Sequence, residues 1–373
     1  MGAIESIHDI CADPWTYARR WKKKRGGKVI GTLCAYAPEE LILAGGALGF
    51  RVVAGSGNTA LSDAHLQTYS CGVVRCALDD ALSGKLDFID GALFPHTCDS
   101  IQRLSDIWRM NVHMDFHLDV GLPAKLTTPS ARNYMVAVMQ KARSDLEAVL
   151  AVSISDGDLR GAIAICNQIR SAMQRIDTLR ADCPGLIPGR DLHAILRAAT
   201  FMDRRDFLNH LNRVVLDLEC RAEPGSKTGM RIFLSGGVCS TLPDLYGVIE
   251  GAGGAVVGDD LCTGLRGLRG LVAEGGDPVD AIAERYLRRA ACPAKHAGMT
   301  NRGDDLVRQV RQSRSQGVIF LLLKFCDPHA FDHPYLKSRL DAASIPSLLI
   351  ELEEPSEAQE QFRTRCEAFM EML

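Results

Sequence analysis

The chain has no Cys-x-x-Cys pair, although thirteen of its 373 residues are cysteine. This absence removes the spacing on which zinc ribbons and ferredoxin-type inserts are built. It also lacks a phosphate-cradling loop of the GxxxxGK[ST] type, so nucleoside triphosphate hydrolysis would have to reside elsewhere. No apolar run reaches membrane-spanning length, and the N-terminal stretch MGAIESIHDICADPW lacks the basic-then-apolar order of a secretion signal. A cytoplasmic location is the expectation. Excess charge of one sign is missing as well. A net charge of -3 with 24% charged residues gives no reason to expect nucleic acid or a membrane surface as partner.

In a reducing compartment thirteen cysteines are not a disulfide framework. Some are small buried hydrophobes. Any metal site must therefore be assembled from cysteines far apart in sequence. The length points to two or three domains, and an apolar fraction of 46% is that of a globular chain.

The most informative stretch is YSCGVVRCALDDALSGKLDFIDGALFPHTCDS, Tyr69 to Ser100. A helix over Val73–Leu82 and a turn at Ser83-Gly84 lead into the apolar run Phe88–Phe94, which reads as a buried parallel strand. Cys98 follows that strand, where open α/β sheets place ligands. The pattern recurs as Val318–Leu323 followed by Lys324-Phe325-Cys326-Asp327-Pro328-His329. Two sheets would thus aim cysteines at one shared site.

Around these anchors the chain reads as two parallel-sheet α/β domains joined by a helical segment, with boundaries at 1–128, 129–225 and 226–373. Residues 1 to 27 read as one amphipathic helix ending in Lys22-Lys23-Lys24-Arg25. Strands are expected at Lys28–Leu33, Phe50–Val53 and Val112–Asp115, with helices after Pro38 and over Ile101–Trp108. From Ser130 to about Cys220 apolar residues recur at three and four, the helical spacing. The second α/β unit carries strands at Arg231–Leu234, Gly254–Gly258, Val318–Leu323 and Pro346–Glu351. Asp259-Asp260-Leu261-Cys262 reads as a loop at a strand end, and helices are expected at Leu245–Glu250, Tyr335–Ala343 and Ala358–Leu373. The two halves look like duplicated units.

Seven cysteines then stand out: Cys34, Cys71, Cys76, Cys98, Cys239, Cys262 and Cys326. Six sit in loops after strands or at helix starts, and Cys34, between a strand and a helix N-terminus, is placed where the ligating thiolate is favoured. Cys76 lies in the first turns of a helix, five residues after Cys71. Cys11, Cys166, Cys183, Cys220, Cys292 and Cys366 lie on helices or in proline-containing loops and are assigned structural roles. The Ser235-Gly236-Gly237 turn has neither GxGxxG nor GK[ST] spacing, so it reads as close backbone packing. His96 and His329 flank strand-end cysteines, where each serves as a proton donor or, more commonly, as a satisfied neighbour of the ligands. Spacing supports an iron–sulfur site over a lone cysteine nucleophile, which would leave the other thiols unexplained.

The segments GTLCAYAPEELILAGGALGFRVV, CGVVRCALDDAL, LDFIDGALFPHTCDSIQRL, GGAVVGDDLCTGLRG and GVIFLLLKFCDPHAFDHPYLKSRLDAASIPSLLIELE resemble, in order, the 2-hydroxyacyl-CoA dehydratase and benzoyl-CoA reductase subunit family. The resemblance implies an iron–sulfur cluster in the cleft between the two α/β domains. It places Cys71, Cys98 and Cys326 as holders of a 4Fe–4S cluster. It brings Cys34, Cys262 and Cys76 near the extra positions of related double-cubane (8Fe–9S) proteins, and leaves Cys239 without a counterpart. It further implies a homologous second catalytic subunit, a separate ATP-hydrolysing iron–sulfur activator, and an acyl-CoA substrate. The activity closest in appearance is the aromatic acyl-CoA (benzoyl-CoA) reductase of anaerobic aromatic degradation. An (R)-2-hydroxyacyl-CoA dehydratase working by a ketyl radical is the second reading, and a non-catalytic electron-transfer subunit the third. His96, His329 and Glu39, close to the cluster-bearing loops, are the catalytic candidates.

Overall fold

The computed structural model of the chain describes residues 2–53, 58–223, 229–237, 245–289, 292–298, 301–352 and 359–373. Two short helices open it, α1 (Ala3–Ala12) and α2 (Pro14–Arg25). They replace the single helix expected there, for a local reason. The Asp13 side chain accepts a hydrogen bond from the Thr16 amide at 2.9 Å, and Pro14 takes the first helical position. A capping acid followed by proline starts a new helix rather than continuing the old one.

The first sheet is built from β1 (Val29–Thr32), β2 (Leu48–Arg51), β3 (Gly91–Pro95) and β4 (Phe116–Val120). Its order is β2-β1-β3-β4, with every neighbouring pair parallel. The helices α3 (Glu39–Ala44), α4 (Gly72–Leu82) and α5 (Asp99–Asn111) make the crossovers. Next come four helices: α6 (Pro129–Leu150), α7 (Asp156–Asp182), α8 (Gly189–Phe201) and α9 (Arg204–Arg221). The expected start at Ser155 is a capping box, in which the Ser155 and Asp158 side chains reach each other's backbone amides.

The second sheet repeats the first. It consists of β5 (Met230–Gly236), β6 (Gly254–Leu261), β7 (Gly317–Leu323) and β8 (Ser347–Leu352), in the order β6-β5-β7-β8 and parallel throughout. Around it lie α10 (Leu245–Gly251), α11 (Pro278–Arg288), α12 (Asn301–Gln312), α13 (Asp327–Ala342) and α14 (Gln359–Met372). The shared strand order is what two duplicated halves produce. The middle strands β1, β3 and β7 are buried at every residue, which is why they read as unbroken apolar runs.

Three further differences from expectation have a local cause. The strand expected at Val112–Asp115 lies at Phe116–Val120, because α5 runs on to Asn111 and Val112 caps it by donating its amide to the Trp108 carbonyl. The strand β6 runs on through Asp259 and Asp260, whose carboxylates enter the core as ion pairs with Arg180 and Arg266 at 2.7 and 2.9 Å. Finally, α13 begins at Asp327, directly after Cys326, with Pro328 in its first turn. Among the described residues no helix is long and apolar enough to cross a membrane.

In each sheet the strand order reverses beside the first strand, opening a crevice at the carboxyl ends of β1 and β3 and of β5 and β7. Cys34 follows β1, Cys98 follows β3 and Cys326 follows β7. Cys239 lies beyond β5, outside the described residues.

The fit of β3 against β4 depends on a missing side chain. A Cβ on Gly91 would meet the Phe116 ring at 2.3 Å. Gly91→Ala is expected to destabilise the fold by about 1–3 kcal/mol through overpacking. Chemical denaturation followed by circular dichroism checks this, and an unchanged midpoint would contradict the tight contact.

Candidate metal centre

Each of the strand-end thiols is set in place by a local device. Cys71 and Cys98 are the N-caps of α4 and α5, both with extended backbone. Cys326 caps α13 and follows Phe325, whose φ of 63° turns the chain sharply after β7. A left-handed phenylalanine costs about 1–3 kcal/mol, a strain that persists only where the surroundings impose it. Cys34 receives a hydrogen bond from the Thr97 hydroxyl at 3.2 Å, which ties the loops after β1 and β3 together. Cys262 is reached from the other half of the chain. Arg51, at the end of β2, donates from Nη2 to its sulfur at 3.0 Å and from Nη1 to its carbonyl at 3.2 Å.

These sulfurs act on one another. Burial pushes the Cys98 thiol well up, and Cys71, Cys34 and Cys292 raise it further, as neighbouring thiolates disfavour each other. Burial likewise pushes Cys326 up to about 12, with Cys71 the first thiol acting on it, followed by Cys292 and Cys262. Cys292 is pushed to about 11, by burial and then by Cys262, with Cys34 also contributing. Cys71 thus acts on both Cys98 and Cys326, while Cys34, Cys262 and Cys292 act on one or both of them and Cys34 and Cys262 also act on Cys292. Cys262 alone moves the other way. Burial raises it, but Arg51, Arg266 and Arg289 together outweigh burial and leave it below the ordinary thiol range.

Cys292, assigned a structural role from the sequence, stands among these sulfurs in the folded chain. It follows α11 rather than a strand, in Cys292-Pro293-Ala294-Lys295, and its amide donates to the Tyr36 hydroxyl at 3.3 Å. The signal available was the cation-rich context, with Arg285, Arg288 and Arg289 before it and Lys295 after it. Cys76 sits one turn into α4 and is fully buried.

The other candidates are placed as follows. His329 is buried, and its pKa is pushed down to about 3, first by burial and then by Arg266 and Arg302. Its Nδ1 lies 3.2 Å from the Cys326 sulfur and its Nε2 is 3.1 Å from Arg266 Nη1. His96 Nε2 is 2.9 Å from Asp119, which also accepts from Ser105. Glu39 pairs with Arg170 and, at 3.5 Å, with Arg204; burial opposes its charge, but Arg170, Arg204 and Arg285 together hold its carboxyl below the usual range.

Two spaces flank the thiols. A cleft of about 1020 Å³ is lined by His96, Cys98, Lys295, Asp327 and Phe331. A smaller cavity of about 100 Å³ meets Cys34, Arg51, Glu39, Arg204 and Cys262. Drug-sized ligands fill pockets of about 300–1,000 Å³, so only the first is of a size for a conjugated acyl group.

Among the described residues the one trio of potential ligand atoms within 4.8 Å of one another is Glu39, Glu40 and Cys166. Both carboxylates there are claimed by Arg170, so that trio reads as an ion-pair network. Among the described residues no three of the strand-end thiols bring their sulfurs within 4.8 Å of one another, so they present no preformed single-ion site. Their soft thiolate donors are of the kind that hold iron–sulfur clusters.

The electrostatics carry a consequence for reactivity. In metal-free protein at pH 8, Cys262 holds more thiolate than Cys98, Cys292 or Cys326, so iodoacetamide should alkylate it first, as read by peptide mass spectrometry. Arg51→Gln should raise its pKa and move its pH–rate profile to higher pH. Equal labelling of all four thiols would contradict the arrangement.

Comparison with known proteins adds to this geometry. The chain is 28% identical to the (R)-phenyllactyl-CoA dehydratase beta subunit of Clostridium sporogenes, over 99% of its own length and 98% of that protein's. It is also 28% identical to a benzoyl-CoA reductase subunit of Thauera aromatica, over 96% and 94% of the two chains. A putative dehydratase subunit, YjiM of Escherichia coli, is 27% identical over 94% and 93%. The family described as 2-hydroxyglutaryl-CoA dehydratase, D-component, matches residues 34–373, and the chain belongs to that family.

Proposed function

We propose that this chain is the iron–sulfur subunit of an ATP-dependent aromatic acyl-CoA reductase of the benzoyl-CoA type. The observation that carries the reading is the set of six thiols acting on one another, Cys71, Cys98 and Cys326 beside Cys34, Cys262 and Cys292. In this reading Cys292, rather than Cys76, takes the sixth place of a double-cubane cluster. A cluster held there supplies electrons at the low potential that buried, thiolate-ligated iron reaches. Net reduction of a ring consumes electron pairs, whereas dehydration returns its single electron each cycle. A larger store of iron therefore suits the reductase.

The protein's own groups have definable tasks. Arg51, Arg266 and Arg289 offset thiolate charge, as their effect on Cys262 supports. The acyl group would occupy the cleft beside Cys98, with the Lys295 ammonium fixed at its wall by the His96 and Leu122 carbonyls at 3.1 and 3.4 Å. His96, oriented by Asp119, lines the same cleft and is the proton donor we favour. The relatives are named as subunits, which supports a homologous partner subunit, and the missing phosphate loop suits an activator that hydrolyses ATP on a separate chain.

Protein purified without oxygen is expected to hold about eight iron atoms per chain, against about four for a single cubane. Cys292→Ser should lose about half of that iron and Cys76→Ser essentially none. Iron-free protein with intact cysteines would end the reading. The complex reconstituted with its partner, activator, ATP and reductant should turn over benzoyl-CoA. The second reading, (R)-2-hydroxyacyl-CoA dehydration, is favoured by the match to the Clostridium sporogenes protein. Turnover of the hydroxyacyl thioester alone would establish it in place of the reductase.

A further inference from the structure

An unbroken line of buried and partly buried charge stands behind Cys326. Asp332 on α13 accepts from Arg302 Nε at 2.7 Å, and Arg302 Nη2 lies 3.5 Å from Asp260. Asp260 in turn accepts from Arg266 Nε at 2.9 Å and from its Nη2 at 3.0 Å. The Arg266 Nη2 also donates to the Gly236 carbonyl at 2.8 Å. That leaves Nη1, which is 3.1 Å from His329 Nε2. The far side of the same imidazole places Nδ1 3.2 Å from the Cys326 sulfur. Asp260, Arg266 and His329 are 5%, 2% and 8% exposed, so water does not compete for these contacts.

The donor inventory decides the proton's position. A guanidinium has only N–H groups to offer, so the imidazole nitrogen facing Arg266 must accept. The single ring proton of neutral histidine then sits on Nδ1 and points at sulfur. The Gly236 carbonyl, which accepts from Arg266 Nη2 and keeps a second lone pair, is the competing acceptor for a ring proton. We propose that Arg266, clamped by Asp260, is a positioning residue that fixes the His329 tautomer so that Nδ1–H donates to the Cys326 sulfur and eases reduction of the metal group held there. A hydrogen bond to a ligating sulfur draws electron density from it, which stabilises the more reduced, more negative cluster. The redox half of this inference rests on the metal reading above. The tautomer half does not.

The two halves are tested separately. In metal-free protein with ¹⁵N-labelled histidine, long-range ¹H–¹⁵N spectra should show His329 protonated at Nδ1, its signal assigned by loss in His329→Leu. Arg266→Lys keeps a donor-only partner and should keep the tautomer, whereas Arg266→Met should release it. A ring protonated at Nε2 in the unaltered protein overturns the proposal. Because Arg266→Met strands the buried Asp260, the redox test uses His329→Leu, which leaves that pair intact. In iron-loaded protein, potentiometry followed by EPR should find reduction about tenfold less favourable in His329→Leu, a fall of about 59 mV for one electron, with iron content unchanged. An unmoved potential with iron retained overturns the redox half. Protein that holds no iron overturns the metal reading and the redox half with it, while the NMR result decides the tautomer alone.

Discussion

Buried sulfur atoms that share a space repel one another once they ionise, and everything about this site is shaped by that repulsion. Burial and mutual repulsion push Cys98, Cys292 and Cys326 toward the neutral thiol. Arg51, Arg266 and Arg289 pull the other way, and at Cys262 they win. Buried arginine is expensive unless paired, and each of these is anchored. Arg266 is forked onto Asp260, Arg289 donates to the Ala35 carbonyl and lies 4.0 Å above the Tyr36 ring, and Arg51 grips Cys262 itself. The cations are part of the fold before any metal is considered, and on the reading proposed above they would offset the charge of a thiolate-held centre.

The anchoring contacts also join the two sheets. Arg51 comes from the end of β2 and Cys262 from the end of β6, while the Tyr286 hydroxyl on α11 donates to the Ala37 carbonyl at 2.6 Å. The ion network of Glu39, Glu40 and Arg170 links α3 to α7 at the edge of the smaller cavity. Charge balance and domain contact are thus achieved by the same side chains. A benzoyl-CoA reductase subunit and an (R)-phenyllactyl-CoA dehydratase subunit match this chain at equal identity, so the shared frame alone does not distinguish the two activities.

Much of this was legible in the sequence, for identifiable reasons. The runs in β3 and β7 are apolar because both faces of those strands are covered, and a cysteine just beyond such a run has few places to go but the sheet's carboxyl edge. Charged strand residues were harder to read. Asp259 and Asp260 look like loop residues until Arg180 and Arg266, distant or local in sequence, are known to meet them. Cys292 escaped for a similar reason. It follows a helix, and only the folded chain brings it beside Cys262 and Cys34. The Arg266–His329 contact spans sixty-three positions and has no short-range signature at all.

The repeated strand order has a consequence for how the protein is made. Cys34, Cys71 and Cys98 leave the ribosome early, but Cys262, Cys292 and Cys326 belong to the last third of the chain. No fragment released during synthesis carries both sets of sulfurs until the second sheet is nearly finished. On the reading proposed above, loading of a cluster between the two sets of sulfurs is therefore a late event, since both are present only near the end of synthesis.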